Sequence, residues 1–416
     1  MTETPHVFLK PGREASVLRK HPWLFSRGVG RTEGNPQPGS LVAVHKANGD
    51  FLAWGHYSPQ SQIRVRFVSW NEADEPDSEA FLRSRLKQAI TARTCLWHNA
   101  ETTAFRLINA ESDGIPGLVL DRYGDTLVLQ ALTVGIESRR EMLVNLLLEL
   151  FAHDPFFQSY TLRSIYERSD ADVRKKEGLK PRTGLLAGEE PPAHTEILEN
   201  GLRFLVDVRA GHKSGFYLDQ RENRQRLRET ITDLKRAGKT IALLNVFSYT
   251  GGFALYGLAG GAATVVNVDA SADVLALMHK NLACNHMENA ATEEIADDAF
   301  KVLRKLRQED RQFDIIVLDP PKFAFTERDI RRASRGYKDI NLQALHLLKP
   351  GGLLFTYSCS GAISASLFQK IIFGAALDSG RDTQIIGCMS QSSDHPVSLT
   401  FPEGTYLKGL LCRVIK

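Results

Sequence analysis

The chain has 416 residues, 43% of them hydrophobic and 24% charged, with a formal net charge of only +3. The length points to two or three domains, and the composition excludes disordered and collagen-like proteins. No apolar run reaches the roughly 18 residues of a membrane span and Met1–Lys10 lacks an apolar signal core, so a cytoplasmic protein with no membrane partner is expected. The five cysteines, at 95, 284, 359, 388 and 412, form no closely spaced pair, so neither a zinc knuckle nor a disulfide framework is expected, and no metal site.

Charge is unevenly spread. The first 70 residues carry nine Lys and Arg against four acids, and Asn71–Glu79 then packs five acids into nine positions. The acidic, proline-containing stretch reads as a boundary. Before it, Ser40–His45, Phe51–Gly55 and Ile63–Val68 are strand-like, which predicts a small β-barrel over 1–72. Arg64-Val-Arg-Phe places two cations on one strand face; a nucleic-acid surface and a merely solvated face compete there.

Residues 80–195 mix elements. Helical spacing over 81–98 is followed by strands at Phe105–Asn109 and Leu118–Asp121. A turn at Tyr123–Asp125 leads to a strand at Thr126–Gln130. An amphipathic helix over 138–152 and a strand at Ser164–Arg168 complete a small α+β unit with no recognisable chemistry of its own.

From about 200 to 416 the pattern is that of an α/β nucleotide-type fold. Thr240–Phe247 is nearly all apolar, as a strand buried on both faces of a parallel sheet must be. A Gly-bearing turn, Ser248–Gly252, opens a helix. The next strand, Thr264–Asp269, ends on a carboxylate 22 residues after Phe247, a spacing suited to ribose hydroxyls. A helix over 273–285, a short strand before Ala296–Phe300, and strands at Phe313–Asp319 and Gly352–Cys359 follow. Two strands at Ile385–Cys388 and Tyr406–Val414 close the chain. Five β-α units plus a terminal hairpin is a class I S-adenosylmethionine methyltransferase layout. The turn is not G-x-G-x-x-G, so a nicotinamide dehydrogenase is the weaker reading; S-adenosylmethionine has no pyrophosphate to seat.

Two strand ends locate the chemistry. Asp319-Pro320-Pro321-Lys322 caps the fourth strand, and two prolines make a rigid frame for a flat base. Cys359 ends the fifth, beside the fourth in this layout, so the thiol and Asp319 should face each other. The bland alternative is a core thiol, which is how the other four cysteines are read. A thiolate adding to C6 of cytosine makes C5 nucleophilic, and Asp319 near N3 and N4 would stabilise the charge that forms.

Asp207–Arg221, Asn245–Phe253, Leu318–Phe323 and Tyr357–Ser360 resemble the bacterial ribosomal RNA large subunit methyltransferase I family. So do Gly12–Glu14, His21–Ser26, Ala110–Gly117, Tyr166–Asp170, Arg335–Asn341 and Asp394–Val397, with Ser214 where the family often has Thr. The resemblance implies a PUA β-barrel, a central α+β domain and a class I methyltransferase domain that methylates cytosine C5 in 23S rRNA, naked or in an assembly intermediate. It implies S-adenosylmethionine binding by Phe216, Asp219 and Arg221, by Asn245, Phe247, Tyr249 and Gly251, and by Asp269 (ribose) and Asp298 (adenine). Helix capping is the competing role for Asp298. RNA contacts would come from Arg13, His21 and Arg27, with Trp23 either a contact or core. The stretch 322–338, six cations against two acids, adds Arg332, Arg335 and Lys338 as phosphate contacts. Guanine-N2 methylation and a non-catalytic RNA-binding assembly factor are the alternatives. The target nucleotide, the proton acceptor at C5 and a homodimer are left open.

Overall fold

Six short strands, β1 (His6–Leu9), β2 (Trp23–Phe25), β3 (Val29–Glu33), β4 (Leu41–His45), β5 (Phe51–Tyr57) and β6 (Ile63–Ser69), form a sheet in the order β2-β6-β5-β4-β1-β3. They belong to a computed structural model that describes residues 4–324 and 326–415. Sequence pattern identifies β4 to β6, where apolar residues such as Val42, Val44, Ala53, Val65 and Phe67 fill the core. It misses β1 to β3, which are only three to five residues long, and β3 buries none of its side chains. The Arg64–Arg66 pair presents no free cationic face. Arg66 is buried and lies 2.9 Å from Glu177, and Arg64 donates to the Ser58 and Pro59 carbonyls. A buried guanidinium needs such a partner.

The chain divides into two compact units. The first runs to Glu199 and takes in Val206–Leu218 and Asp394–Gly404; the second holds Asn200–Leu205, Asp219–Ser393 and the chain from Thr405. Within the first, β7 (Ala104–Asn109), β8 (Leu118–Tyr123), β9 (Thr126–Ala131), β10 (Ser164–Ser169) and β11 (Arg182–Gly188) make a sheet ordered β11-β10-β9-β8-β7. Helices Glu79–Thr91 and Arg140–His153 bury Leu82, Leu86, Leu143 and Leu147 in its core. The acidic stretch before them is not a tether: Asp77 pairs with Arg139 and His56, and Asn71 with Asp74. Burial opposes ionisation of Asp77, yet hydrogen bonds from His56 and Arg139 hold its carboxyl down at about 2.

The two returning segments, read from sequence as part of the C-terminal region, have clear anchors in the first unit. Ser214 donates to Asp121 at 2.5 Å and bonds Tyr123 Oη at 2.9 Å, which explains why a hydroxyl residue stands there. Asp394 accepts from the Arg106 N–H at 2.8 Å. Strands β12 (Thr195–Glu199) and β13 (Leu202–Val206) straddle the division.

The second unit is built on β14 (Ala242–Val246), β15 (Thr264–Asp269), β16 (Thr292–Ala296), β17 (Phe313–Leu318), β18 (Leu348–Ser358), β19 (Thr383–Met389) and β20 (Lys408–Val414). Their order is β16-β15-β14-β17-β18-β20-β19. The first five run parallel and the last two antiparallel, as the sequence layout requires. A 16-residue helix, Arg221–Arg236, precedes β14 and was not anticipated; its mostly polar sequence buries only a Leu227/Ile231 stripe among apolar positions. Among the described residues no helix is long and apolar enough to cross a membrane.

Candidate active site

Strand register sets the site. Val268, Val246, Leu318 and Thr356 lie side by side across β15, β14, β17 and β18. The residue after each, Asp269, Phe247, Asp319 and Tyr357, therefore stands at the carboxyl edge, where chain order reverses around β14 and ligands bind in open α/β sheets.

The first turn is conformationally costly. Phe247, Tyr249 and Gly251 all have positive φ (63°, 47° and 85°), which for the two aromatic residues costs about 1 kcal/mol or more each. The compensation is local: Ser248 N–H bonds Val268 O at 3.0 Å, and Tyr249 N–H donates to Asp269 Oδ2 at 2.9 Å. Ser271 N–H holds the other oxygen, Oδ1, at 3.0 Å, so the Asp269 carboxylate is fixed at the strand end. The hydroxyls of Ser248 and Thr250 are buried with no hydrogen-bond partner among the described residues. Buried polar atoms of this kind need a partner, and the turn fits the polar end of S-adenosylmethionine in that role.

Other predicted cofactor residues are placed differently. Asn245 is inside β14 and its Nδ2 donates to Asn267 Oδ1 at 3.0 Å on the next strand, a pair internal to the sheet. Its position, two residues short of the turn, keeps it among strand neighbours. Asp298 caps the helix Ala299–Gln308, accepting from Lys301 N–H at 3.1 Å, so capping is what its Oδ1 does. Asp219 is buried and accepts from Tyr406 Oη at 2.6 Å, while Arg221, also buried, starts the long helix. Phe216 is a buried residue of the first unit, its N–H on Tyr123 Oη at 3.2 Å.

Beyond β17 the chain runs through half-buried Asp319, buried Pro320, and exposed Pro321 and Lys322. Cys359, half-buried, follows β18 with its Sγ 4.0 Å from the Pro320 carbonyl, so the thiol and the Asp-Pro-Pro-Lys segment are brought together. Ser360 locks this meeting. Its Oγ accepts from Ala324 N–H at 3.1 Å and bonds Tyr337 Oη at 2.9 Å, and its carbonyl accepts from Lys408 Nζ at 2.8 Å. Tyr357 is fully buried with its Oη on Met389 Sδ at 3.2 Å; burial first, then the Asp319 charge, push its phenol well above the ordinary range. Sequence reasoning missed Ser360, Tyr337 and Lys408. The lysine that opens the apolar run Gly409-Leu-Leu-Cys412 of the last strand was the available signal.

The expected RNA contacts divide. Arg13, Arg27 and Arg335 are exposed. His21 is instead tied 3.1 Å from Glu403 and packs edge-on against Phe401, as does Trp23 at 4.7 Å. The 322–338 stretch enters the 18-residue helix Ile330–Leu347, in which Lys338 pairs with Asp378 at 2.7 Å, while Arg332 is exposed and 3.8 Å from Asp329. Of the cysteines read as buried, only Cys412 is. Cys95, on a single helical turn, and Cys388, on edge strand β19, are exposed.

Comparison with known proteins agrees with this architecture. Residues 7–70 match the family model of a PUA-like domain, and residues 179–373 that of an S-adenosylmethionine-dependent methyltransferase. A ribosomal RNA large subunit methyltransferase I from Aeromonas salmonicida (strain A449) is 50% identical over 407 residues, 98% of each chain. One from Aliivibrio fischeri (strain ATCC 700601 / ES114) is 46% identical over 99% of this chain and all of its own. The crystal structure of SMU.776 complexed with SAH, 23% identical, shares the fold over 98% of this chain and 100% of its own, with a TM-score of 0.83.

Proposed function

The chain belongs to the ribosomal RNA large subunit methyltransferase I family, and from that premise we propose that it methylates C5 of a cytosine in 23S rRNA through a covalent bond from Cys359 to C6. The observation that carries the chemistry is the thiol 4.0 Å from the Pro320 carbonyl, beside Asp319. Amino-group methylation needs only a frame that holds the exocyclic nitrogen; a cysteine at that frame has no task in it.

S-adenosylmethionine, when bound, supplies an electrophilic methyl group. Gly251 and the Ser248 and Thr250 hydroxyls would hold its amino-acid end, Asp269 its ribose, and the 297–298 loop its adenine. Phe247 and Tyr249 would line the same turn. Asp219 and Arg221 act with them as supports of the pocket wall, as Asp219's bond to Tyr406 suits it to do. Pro320 and Pro321 confine the base, and Lys322, exposed beside it, meets the backbone phosphate. The Cys359 thiolate adds to C6, which moves electron density to C5, while the Asp319 carboxyl accepts from the N4 amino group and, when protonated, donates to N3 as the ring gains charge. Once C5 carries the methyl group, a general base accepts the C5 proton, the freed electron pair re-forms the C5–C6 double bond, and the C6–S bond breaks to return the thiolate. The PUA-like sheet, with Arg13 and Arg27, and Arg335 on the helix contribute phosphate contacts that position the RNA.

Mass mapping of large-subunit rRNA from cells with and without the protein tests the assignment. The expected result is loss of a single 5-methylcytosine. A methyl lost from guanine N2, or no change, contradicts it.

A further inference from the structure

Lys408 occupies an unusual position. It stands opposite Ser358 in the β18–β20 register, and its Nζ donates to the Ser360 carbonyl at 2.8 Å. Cys359 is the residue between those two. Lys408 is only 9% exposed, and its strand continues Gly-Leu-Leu-Cys, so an ammonium is buried where neighbouring positions are apolar. A buried charge is costly, and a single neutral carbonyl offsets that cost less well than an anion does.

We propose that Lys408 is a positioning residue whose ammonium holds the Cys359 side chain in its thiolate form, an inference whose catalytic consequence rests on the cytosine reading. The other titratable groups around this point are Lys322 and Asp319 on the segment after β17, Tyr337 on the Ile330–Leu347 helix, and Tyr357 on β18. Tyr337 and Tyr357 are both raised by burial and stay neutral near pH 7, so they supply no compensating cation. Lys322 is exposed and shares its charge with solvent. Lys408 is the buried cation of the set. Burial brings its ammonium down to about 8, while the Cys359 charge acts in the opposite sense and favours the protonated amine. The same attraction acts reciprocally on the thiol. Lys408 keeps its charge below about pH 8, so the cation is in place beside Cys359 at neutral pH.

The test is the pH dependence of Cys359 alkylation by iodoacetamide, read by peptide mass in the full chain, with exposed Cys95 as the internal reference. In the wild type the Cys359 midpoint is expected at least one pH unit below that of Cys95. Lys408→Gln keeps a hydrogen-bond donor for Ser360 but removes the charge. It is expected to raise the Cys359 midpoint by about one unit, cutting the thiolate present at pH 7 about tenfold, and to shift the acidic limb of the kcat–pH profile with it. Lys408→Arg is expected to restore the wild-type midpoint. An unshifted Cys359 midpoint in a folded Lys408→Gln protein, or a wild-type midpoint at or above that of Cys95, overturns the proposal. Failure of the cytosine reading would show separately, as methyl transfer that persists without Cys359.

Discussion

Cys359→Ala is expected to lower methyl transfer on the order of a thousandfold or more, with S-adenosylmethionine affinity changed by less than about twofold. The asymmetry follows from what holds the loop. Ser360, not Cys359, makes the bonds to Ala324, Tyr337 and Lys408 that fix the strand end. The sulfur is half-buried and its contact with the Pro320 carbonyl, at 4.0 Å, is weak. Its loss should therefore cost about 1 kcal/mol or less in stability. Calorimetric cofactor binding and thermal melting, measured beside turnover, separate a missing nucleophile from a damaged fold. Activity within tenfold of wild type would move the chemistry to an exocyclic amine.

Gly251→Ala is expected to destabilise the second unit by about 2–5 kcal/mol and to abolish cofactor binding at ordinary concentrations. Two independent penalties add. At φ 85° a Cβ costs about 1–2 kcal/mol, and an ideal Cβ would sit 2.3 Å from Met278 Cγ. Met278 is completely buried, so it cannot retreat into solvent, and overpacking of this kind costs about 1–3 kcal/mol. Any relief must come from the turn itself, which carries the Tyr249 N–H bond to Asp269 and the two unpartnered hydroxyls. Melting and cofactor titration should fail together. A variant that melts normally and binds normally would show that the turn has slack the structure does not display.

The parallel sheet was legible in sequence because strands buried on both faces read as apolar runs; Ile315–Leu318 does so throughout, and Leu243–Val246 does apart from Asn245. Strand adjacency followed from the layout, and with it the meeting of the Asp319 and Cys359 segments. The three short barrel strands were illegible because three to five residues carry no periodicity. Asp298 shows a different limit. A carboxylate just before a helix reads the same whether it caps or binds, and only its 3.1 Å bond to Lys301 N–H identifies the cap. His21 and Lys338 likewise look like cationic contacts until their partners appear, Glu403 and Asp378, which lie 382 and 40 residues away in sequence. Lys408 was missed for the same reason: its neighbour Ser360 lies 48 residues earlier.

The covalent step is open to direct capture. A large-subunit rRNA fragment carrying 5-fluorocytosine can be attacked at C6 and methylated at C5, but fluorine cannot leave as the proton does, so the thiolate is not released. A denaturation-resistant protein–RNA complex is expected, forming only with S-adenosylmethionine and with Cys359 in its cross-linked peptide. Absence of any adduct while the unsubstituted fragment is methylated normally, or an adduct through another residue, would contradict it.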